Sequence, residues 1–547
     1  MPDVTDVDVV SRRVFPGELQ RNFSESVFMR QPRRKNRFAL SRSGKKCNFG
    51  HRIISGNMLK ELLSHSDIIA SEGSLDKEIT SVTCDSRTVA PGSLFVAVPG
   101  TAVDGHRFIG QAVERGASAV LCQTIPEELR DGVAYVSVAD TALELGRVAS
   151  LFYGEPSKRL KLVGVTGTNG KTTTATLLYD MFTAMGYKAG LVSTVVYRIG
   201  ERRVESTHTT PDSIRLNELL RQMADEGCDY CFMEVSSHSV VQHRIEGLHF
   251  VGGIFTNITH DHLDYHKTFA AYIAAKKGFF DMLPGEAFAL VNGDDRNGSV
   301  MVQNTRAKAY RYALKSPADF KCRIVEAIFG GMELDIDGHD VWVRFIGRFN
   351  AYNLTAVYGA AVLLGAPREE VLRQLSMLHS VSGRFDYVTS PEGVTAIVDY
   401  AHTPDALENV LDTIGEIRKG RSRIITVVGC GGNRDKTKRP EMAVIGLKNS
   451  DFLILTSDNP RFEKPEDILE DMRKGITESG MESKGRYVVI SDRREAIRMA
   501  AAMAEGGRNG EGDIILIAGK GHENYQEIEG VRHHFDDKEE IASLFSE

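Results

Sequence analysis

The sequence predicts an α/β protein of several domains, and three observations predict it. First, an apolar stretch (Leu160, Leu162, Val163, Val165) runs into GVTGTNGKTTT at Gly164–Thr174. Leu177, Leu178, Met181, Phe182 and Met185 follow at helical spacing, so a buried strand, a glycine turn and a helix succeed one another. Second, strand-length apolar runs alternate with helical patterns through 158–388, as in a mostly parallel sheet. Third, Ile424–Val428, Phe452–Leu455 and Ile514–Ile517 each end in a polar or glycine-rich loop, which predicts another α/β unit over 389–547.

At 547 residues the chain is too long for one ordinary domain, and three or four are expected. With 42% hydrophobic and 26% charged residues, the composition is that of a soluble globular protein. A net charge of −7 argues against general nucleic-acid binding. No apolar run approaches the ~20 residues of a membrane span. Seven scattered cysteines suit a reducing compartment better than a disulfide framework. Cys228-x-x-Cys231 has no second pair at metal spacing and reads as two packed thiols.

Residues 1–56 are basic and lack periodicity, so a disordered extension is expected there; a start-site artefact, a transit segment and a plain tail all fit it. Met58, Leu59, Leu62 and Leu63 begin a helical pattern. Short strands are predicted at Thr80–Cys84, Ser93–Val98, Ala119–Cys122 and Val133–Val138, and Ser86, Arg87 and the turn 101–104 form a polar set suited to gripping a ligand.

The chemistry starts at the glycine turn. Gly167 and Gly170 let the backbone aim its N–H groups at an anion, and the following helix adds its positive N-terminal dipole. Lys171 is placed for the β/γ-phosphates of a nucleotide and the Thr172 hydroxyl for Mg²⁺. Val165 stands where the general pattern has glycine, so the loop is a variant. Glu234, in FMEVSSH, and His262, in TNITHDHLDYH, each follow an apolar strand. Carboxyl ends of parallel strands converge on a ligand crevice, so both are candidates to hold Mg²⁺ around ATP with Thr172. Zinc is disfavoured, because no thiolate set accompanies HDHLDYH. Gly429-x-Gly431-x-x-Arg434 has arginine where a dinucleotide fingerprint has its third glycine. The three C-terminal loops read instead as one pocket. Arg434 and Arg461 offer planar forks to a carboxylate, while Asp458, Asn459 and Glu523 offer acceptors to an ammonium, a mixture that fits an amino acid.

Taken together, TGTNGKTTT, HTTPD, MEVSSHSVVQHR, TNITHDHLDYH with Tyr272-x-x-Ala275-Lys276, GRFNAYN, SGRFD, DYAHTPDAL, GCGGNRDKTKRP, DNPR and GKGHE resemble the Mur ligase family over roughly 57–540. The resemblance implies three domains: a UDP-sugar-binding α/β domain over 57–157, a central phosphate-loop ATPase over 158–388 and a Rossmann-like amino-acid-binding domain over 389–547. It implies cytoplasmic synthesis of peptidoglycan precursors, hence roles in cell wall biogenesis, cell shape and division, by a monomer. ATP would phosphorylate the D-glutamyl carboxylate of UDP-N-acetylmuramoyl-L-alanyl-D-glutamate, and an amine would attack the acyl phosphate.

Residue by residue, the resemblance implies that Gly167, Thr168, Asn169, Gly170, Lys171, Thr172 and Thr173 cradle the ATP phosphates. Asn350, Asn353, Arg384 and Asp399 match other nucleotide contacts. Lys276 matches a lysine carried N-carboxylated, which with Thr172, Glu234 and His262 would hold Mg²⁺; Lys171, Glu234, His262 and Lys276 are the implied catalytic set. Cys84, Ser86, Thr101, Ala102 and Val103 match uridine-side contacts. His208, Thr209, Thr210, Ser236, Gln242 and Arg244 match contacts to the muramoyl dipeptide. Arg434, Asp458, Asn459, Pro460, Arg461, Gly519 and Glu523 match a pocket for meso-2,6-diaminopimelate, whose far carboxylate suits Arg461 and is missing from L-lysine. Two alternatives stand beside this. One is a sister ligase, such as folylpolyglutamate synthase or the enzyme adding D-Ala-D-Ala, against which the DNPR loop argues. The other is a non-catalytic descendant, which need not keep Lys171, Thr172, Glu234, His262 and Lys276 together.

Overall fold

The structure is a computed structural model that describes residues 57–100, 103–259, 261, 263–481, 485–508 and 511–546, without the side chains of 263 and 264. The expectations for 1–56, Thr101, Ala102 and His262 therefore lie outside the described residues. The rest is built on three larger sheets and a small hairpin, with helices between and over the strands.

The first sheet orders its strands Ile68–Glu72, Ala134–Val138, Ala119–Cys122, Ser93–Val96 and Ser81–Thr83. Only Ile68–Glu72 runs antiparallel to its neighbour. The strands Ser93–Val96, Ala119–Cys122 and Ala134–Val138 are buried throughout, which is why each reads as a near-continuous apolar run.

The central sheet has eleven strands with Lys161–Thr166 in its middle, between Gly252–Phe255 and Tyr230–Glu234. Pairing is parallel from Phe320–Ile328 across to Ala189–Val192. Both flanks are antiparallel: Gly331–Ile336 and His339–Val343 on one side, Tyr197–Ile199 and Arg202–Val204 on the other. The helix Lys171–Ala184 buries Leu177, Leu178, Met181 and Phe182 on one face of the sheet against Val163, Val165 and Phe232. Phe250, Phe279, Leu219 and Leu220 cover the other face. A strand covered on both sides has no polar alternation to show, as Leu162–Val165 illustrates.

The third sheet orders Asp386–Thr389, Thr395–Asp399, Ile514–Ala518, Ile424–Val428, Phe452–Leu455 and Tyr487–Val489, parallel except at its first strand. The three runs singled out in the sequence are neighbours here, so their following loops meet at one sheet end. Among the described residues no helix is long and apolar enough to cross a membrane.

Candidate functional site

The phosphate loop leaves Lys161–Thr166 and turns through two glycines with positive φ. At Gly167 φ is +153° and an added Cβ would stand 1.9 Å from Thr256 Oγ1, so no larger residue fits without displacing the neighbouring strand end. That neighbour shapes the loop. Asn257 O accepts from Thr168 N at 2.8 Å, Asn257 Oδ1 accepts from Asn169 N at 2.9 Å, and Thr256 Oγ1 donates to Asn169 O at 2.6 Å. Lys171 Nζ donates to Gly167 O at 3.0 Å and Thr168 O at 2.8 Å. Burial lowers the Lys171 ammonium from its ordinary range, and the Glu234 carboxylate works against that shift.

Glu234 ends the strand Tyr230–Glu234 and is buried. Its Oε1 accepts from Thr172 Oγ1 at 2.9 Å and from Thr194 N at 2.7 Å. Its Oε2 is buried with no hydrogen-bond partner among the described residues. A carboxylate oxygen in that condition lacks the compensation that burial of a charge demands, and a hard cation would supply it. Lys276, on the helix Phe269–Asp281, is buried as well. Its Nζ donates to Gly167 O at 2.7 Å and lies 4.6 Å from the Tyr272 ring centre. Burial, with the Lys171 cation adding to it, pushes Lys276 well below the usual lysine range. A shift in that direction favours the uncharged, nucleophilic amine, the state that takes up CO₂. No group of three or more His, Cys, Asp and Glu side chains that would hold a metal is present among the described residues.

Beside Glu234 sits a polar network made by the residues assigned to the dipeptide. Thr210 Oγ1 donates to Glu234 O at 2.9 Å and accepts from Ser236 N at 3.1 Å. Arg244 donates to Thr210 O at 2.7 Å and to Gln242 Oε1 at 2.6 Å, while Gln242 Nε2 donates to Tyr265 OH at 3.1 Å. Thr209 and Thr194 share a hydroxyl contact of 3.0 Å. Tyr197 OH donates to His208 O at 2.6 Å, leaving the His208 side chain at the surface. The uridine-side set is less gathered. Ser86 is buried with its hydroxyl donating to Gln111 Oε1 at 2.6 Å, whereas Cys84 and Val103 are exposed.

On the nucleotide side, Asn350 and Asn353 are buried on the helix Arg348–Leu363, and Asn353 Oδ1 abuts Gly170. Arg384 Nη2 donates to Thr172 Oγ1 at 3.3 Å and its guanidinium lies 4.4 Å from the Tyr400 ring centre. Asp399 Oδ2 accepts from Phe385 N at 2.6 Å; burial raises its carboxyl, opposed by Arg384. Asp405, which the sequence motifs contain but do not single out, accepts from Asn169 Nδ2 at 2.9 Å and Thr259 Oγ1 at 3.3 Å. Thr256 and Asn257 went unnoticed in the same way. Their only signal is membership of TNITHDHLDYH, directly after the strand Gly252–Phe255.

At the third sheet the loops after Ile424–Val428, Phe452–Leu455 and Ile514–Ala518 close on one another. Gly432 N donates to Asn459 O at 2.9 Å, and Arg461 Nη1 donates to Gly432 O at 3.0 Å. Arg461 holds a left-handed backbone, φ +53°, stitched by Arg461 N to Glu527 O at 3.0 Å. Asp458, Asn459 and Pro460 are buried; Asn459 Nδ2 donates to Glu523 Oε2 at 2.7 Å. At Gly519 φ is +115° and a Cβ would lie 2.5 Å from Asp458 Oδ2. Arg434 is exposed at the rim. The structure thus brings Asp458, Asn459, Arg461, Gly519 and Glu523 together.

A phosphate loop with a buried acid beside it, and a second α/β unit whose loops gather side chains of both charges, define a multidomain nucleotide-using enzyme. Family models described as "Mur ligase family, catalytic domain", "Mur ligase middle domain" and "Mur ligase, glutamate ligase domain" match residues 78–153, 165–361 and 383–521. A Bacteroides fragilis UDP-N-acetylmuramoyl-L-alanyl-D-glutamate–2,6-diaminopimelate ligase is 57% identical over 488 residues, covering 89% of this chain and 99% of that protein. The ligase of the same name from Clostridioides difficile is 41% identical, covering 88% and 98%. A solved structure of a ligase so named superimposes with a TM-score of 0.64 at 32% identity, covering 89% of this chain and 98% of that one. MurF from Acinetobacter baumannii shares the fold at 15% identity, with a TM-score of 0.59 and coverage of 90% and 99%. The chain belongs to the Mur ligase family, ATP-dependent enzymes that form amide bonds.

Proposed function

We propose that this chain joins meso-2,6-diaminopimelate to UDP-N-acetylmuramoyl-L-alanyl-D-glutamate, with ATP converted to ADP and phosphate, in the cytoplasmic synthesis of peptidoglycan precursors. Relatives with that printed name match along nearly their whole length. The observation that carries the chemistry is Glu234, a buried carboxylate beside the phosphate loop with one oxygen bonded to Thr172 and the other unpartnered among the described residues. We assign 57–157 to the nucleotide-sugar, 158–388 to ATP and 389–547 to the amino acid.

A carboxylate is a poor electrophile. Transfer of the γ-phosphoryl group to a D-glutamyl carboxylate oxygen releases ADP and makes an acyl phosphate. The amine of diaminopimelate then attacks the acyl carbon, loses a proton, and expels phosphate. The loop N–H groups of 167–173 and Lys171 bind and orient the phosphates. Arg384, which donates to Thr172, offsets phosphate charge. Thr210, Ser236, Gln242 and Arg244 orient the dipeptide, and Arg461, Asn459, Asp458 and Glu523 hold the far end of the amino acid. Thr172, Glu234, His262 and an N-carboxylated Lys276 would hold Mg²⁺, which screens repulsion between the carboxylate and the phosphates. Nucleotide and amino-acid contacts lie on different domains, so closure is part of the cycle. The enzyme is taken to act as a monomer. Mass analysis of the product tests the proposal: a new amide between the D-glutamyl side-chain carboxylate and diaminopimelate, formed only with ATP, supports it, and ADP formation without that amide refutes it.

A further inference from the structure

The amino-acid pocket has a cation behind it that none of the assigned roles uses. Lys520 follows Gly519, and its side chain is fully buried. Its ammonium donates to Tyr525 O and to Asn459 Oδ1 at 3.4 Å, and it lies 3.7 Å from Glu523 Oε2. A lysine is almost never fully buried unless its charge is paired, and the carboxylate near Lys520 is Glu523. Here the neighbours are the pocket itself. Asn459 Oδ1 also accepts from Glu527 N at 2.8 Å, so its two donors turn the amide and aim Nδ2 at Glu523 Oε2. Lys520 thus touches both the residue that sets Glu523 in place and Glu523 itself.

We propose that Lys520 is a positioning residue for amino-acid recognition: it fixes the Asn459 amide and, through it and by its own contact, holds Glu523 in place for the ammonium at the far end of a diamino dicarboxylic acid. This rests on the reading of Asp458–Arg461, Gly519 and Glu523 as the amino-acid pocket. Glu523 is faced by Asp458 and Arg461 from the loop after Phe452–Leu455, by Tyr400 beyond Thr395–Asp399, by Arg493 on the helix Arg493–Met503, by Tyr525, and by Lys520 from its own loop. Burial and Asp458 favour its protonation, and Lys520 is the largest opposing influence. Arg493 is committed to Asp537 through two contacts of 2.8 and 2.7 Å.

The test uses full-length K520M and K520Q, with E523Q and R461A as companions. In K520M the Michaelis constant for diaminopimelate rises about tenfold or more, those for ATP and the nucleotide-sugar stay within about twofold, and the acid limb of kcat/KM for diaminopimelate moves to higher pH. K520Q behaves alike and carries the test if K520M does not fold. A folded variant with unchanged diaminopimelate KM and an unmoved acid limb overturns the proposal, as does an equal loss toward all three substrates. If E523Q and R461A raise that KM while K520M and K520Q do not, only the role of Lys520 falls. If all four leave it unchanged, the pocket reading falls first.

Discussion

Replacing Arg461 by alanine is the sharpest probe of substrate choice. The guanidinium is mostly buried, its side chain 19% exposed, and lies 4.0 Å from Glu527. Its Nη1 is bonded to Gly432 O, which leaves the remaining N–H groups for a ligand carboxylate. A charge-assisted hydrogen bond in such a setting contributes about 1.5–3 kcal/mol. At about 1.4 kcal/mol per factor of ten, R461A raises the KM for diaminopimelate about 10- to 150-fold. Because the carboxylate at that end does not react, kcat changes little. The backbone supplies a control. Arg461 sits at φ +53°, a conformation that costs a non-glycine residue about 1 kcal/mol. R461G therefore shows the same KM defect as R461A but greater stability toward urea. The assay is initial-rate phosphate release with diaminopimelate varied at saturating ATP and nucleotide-sugar. A KM within twofold of wild type in folded R461A refutes the reasoning.

Three further outcomes are expected. Gly167→Ala meets Thr256 Oγ1 at 1.9 Å, so ATP binding measured by calorimetry is lost while the nucleotide-sugar still binds; retained ATP affinity would contradict the loop geometry. Lys276→Ala lowers kcat by about a hundredfold or more, and ¹³C-bicarbonate gives wild type, but not the variant, a protein-bound carbamate resonance; a resonance in both would move the modification elsewhere. His402 is pushed down to about 4, mainly by burial and then by Lys438. The unfolded chain then binds the proton first, so stability present above about pH 6.5 is lost as pH falls toward 4, by about 2 kcal/mol at pH 5; H402Q flattens that part of the urea-midpoint profile, and an unchanged slope would sink the assignment.

The phosphate loop was legible because everything it needs is local: one strand, two glycines, a lysine, a threonine and a helix within 25 or so residues. Glu234 was legible from its place at the end of an apolar strand, and the meeting of the C-terminal loops from three apolar runs that each stop at a polar loop. What the residues could not show was partnership across the chain. Asn169 and Asp405 are 236 positions apart, and no periodicity links them. Thr256 and Asn257 look like ordinary loop polars until Gly252–Phe255 is paired beside Lys161–Thr166. Lys520 reads as one more lysine in GKGHE, since burial is a property of the packed loops and not of the motif. The antiparallel strands Gly331–Ile336 and His339–Val343 were missed for another reason: they extend the central sheet sideways, and nothing in an alternating strand–helix pattern announces an appended hairpin.

The central claim is that this chain is a ligase selective for diaminopimelate. It is tested most directly by phosphate release from ATP with UDP-N-acetylmuramoyl-L-alanyl-D-glutamate, comparing meso-diaminopimelate with L-lysine. Release with diaminopimelate and little or none with lysine is the predicted result. Equal or preferred use of lysine would contradict the role given to Arg461 and Glu523, and no release with either from folded, ATP-binding protein would contradict the reaction itself.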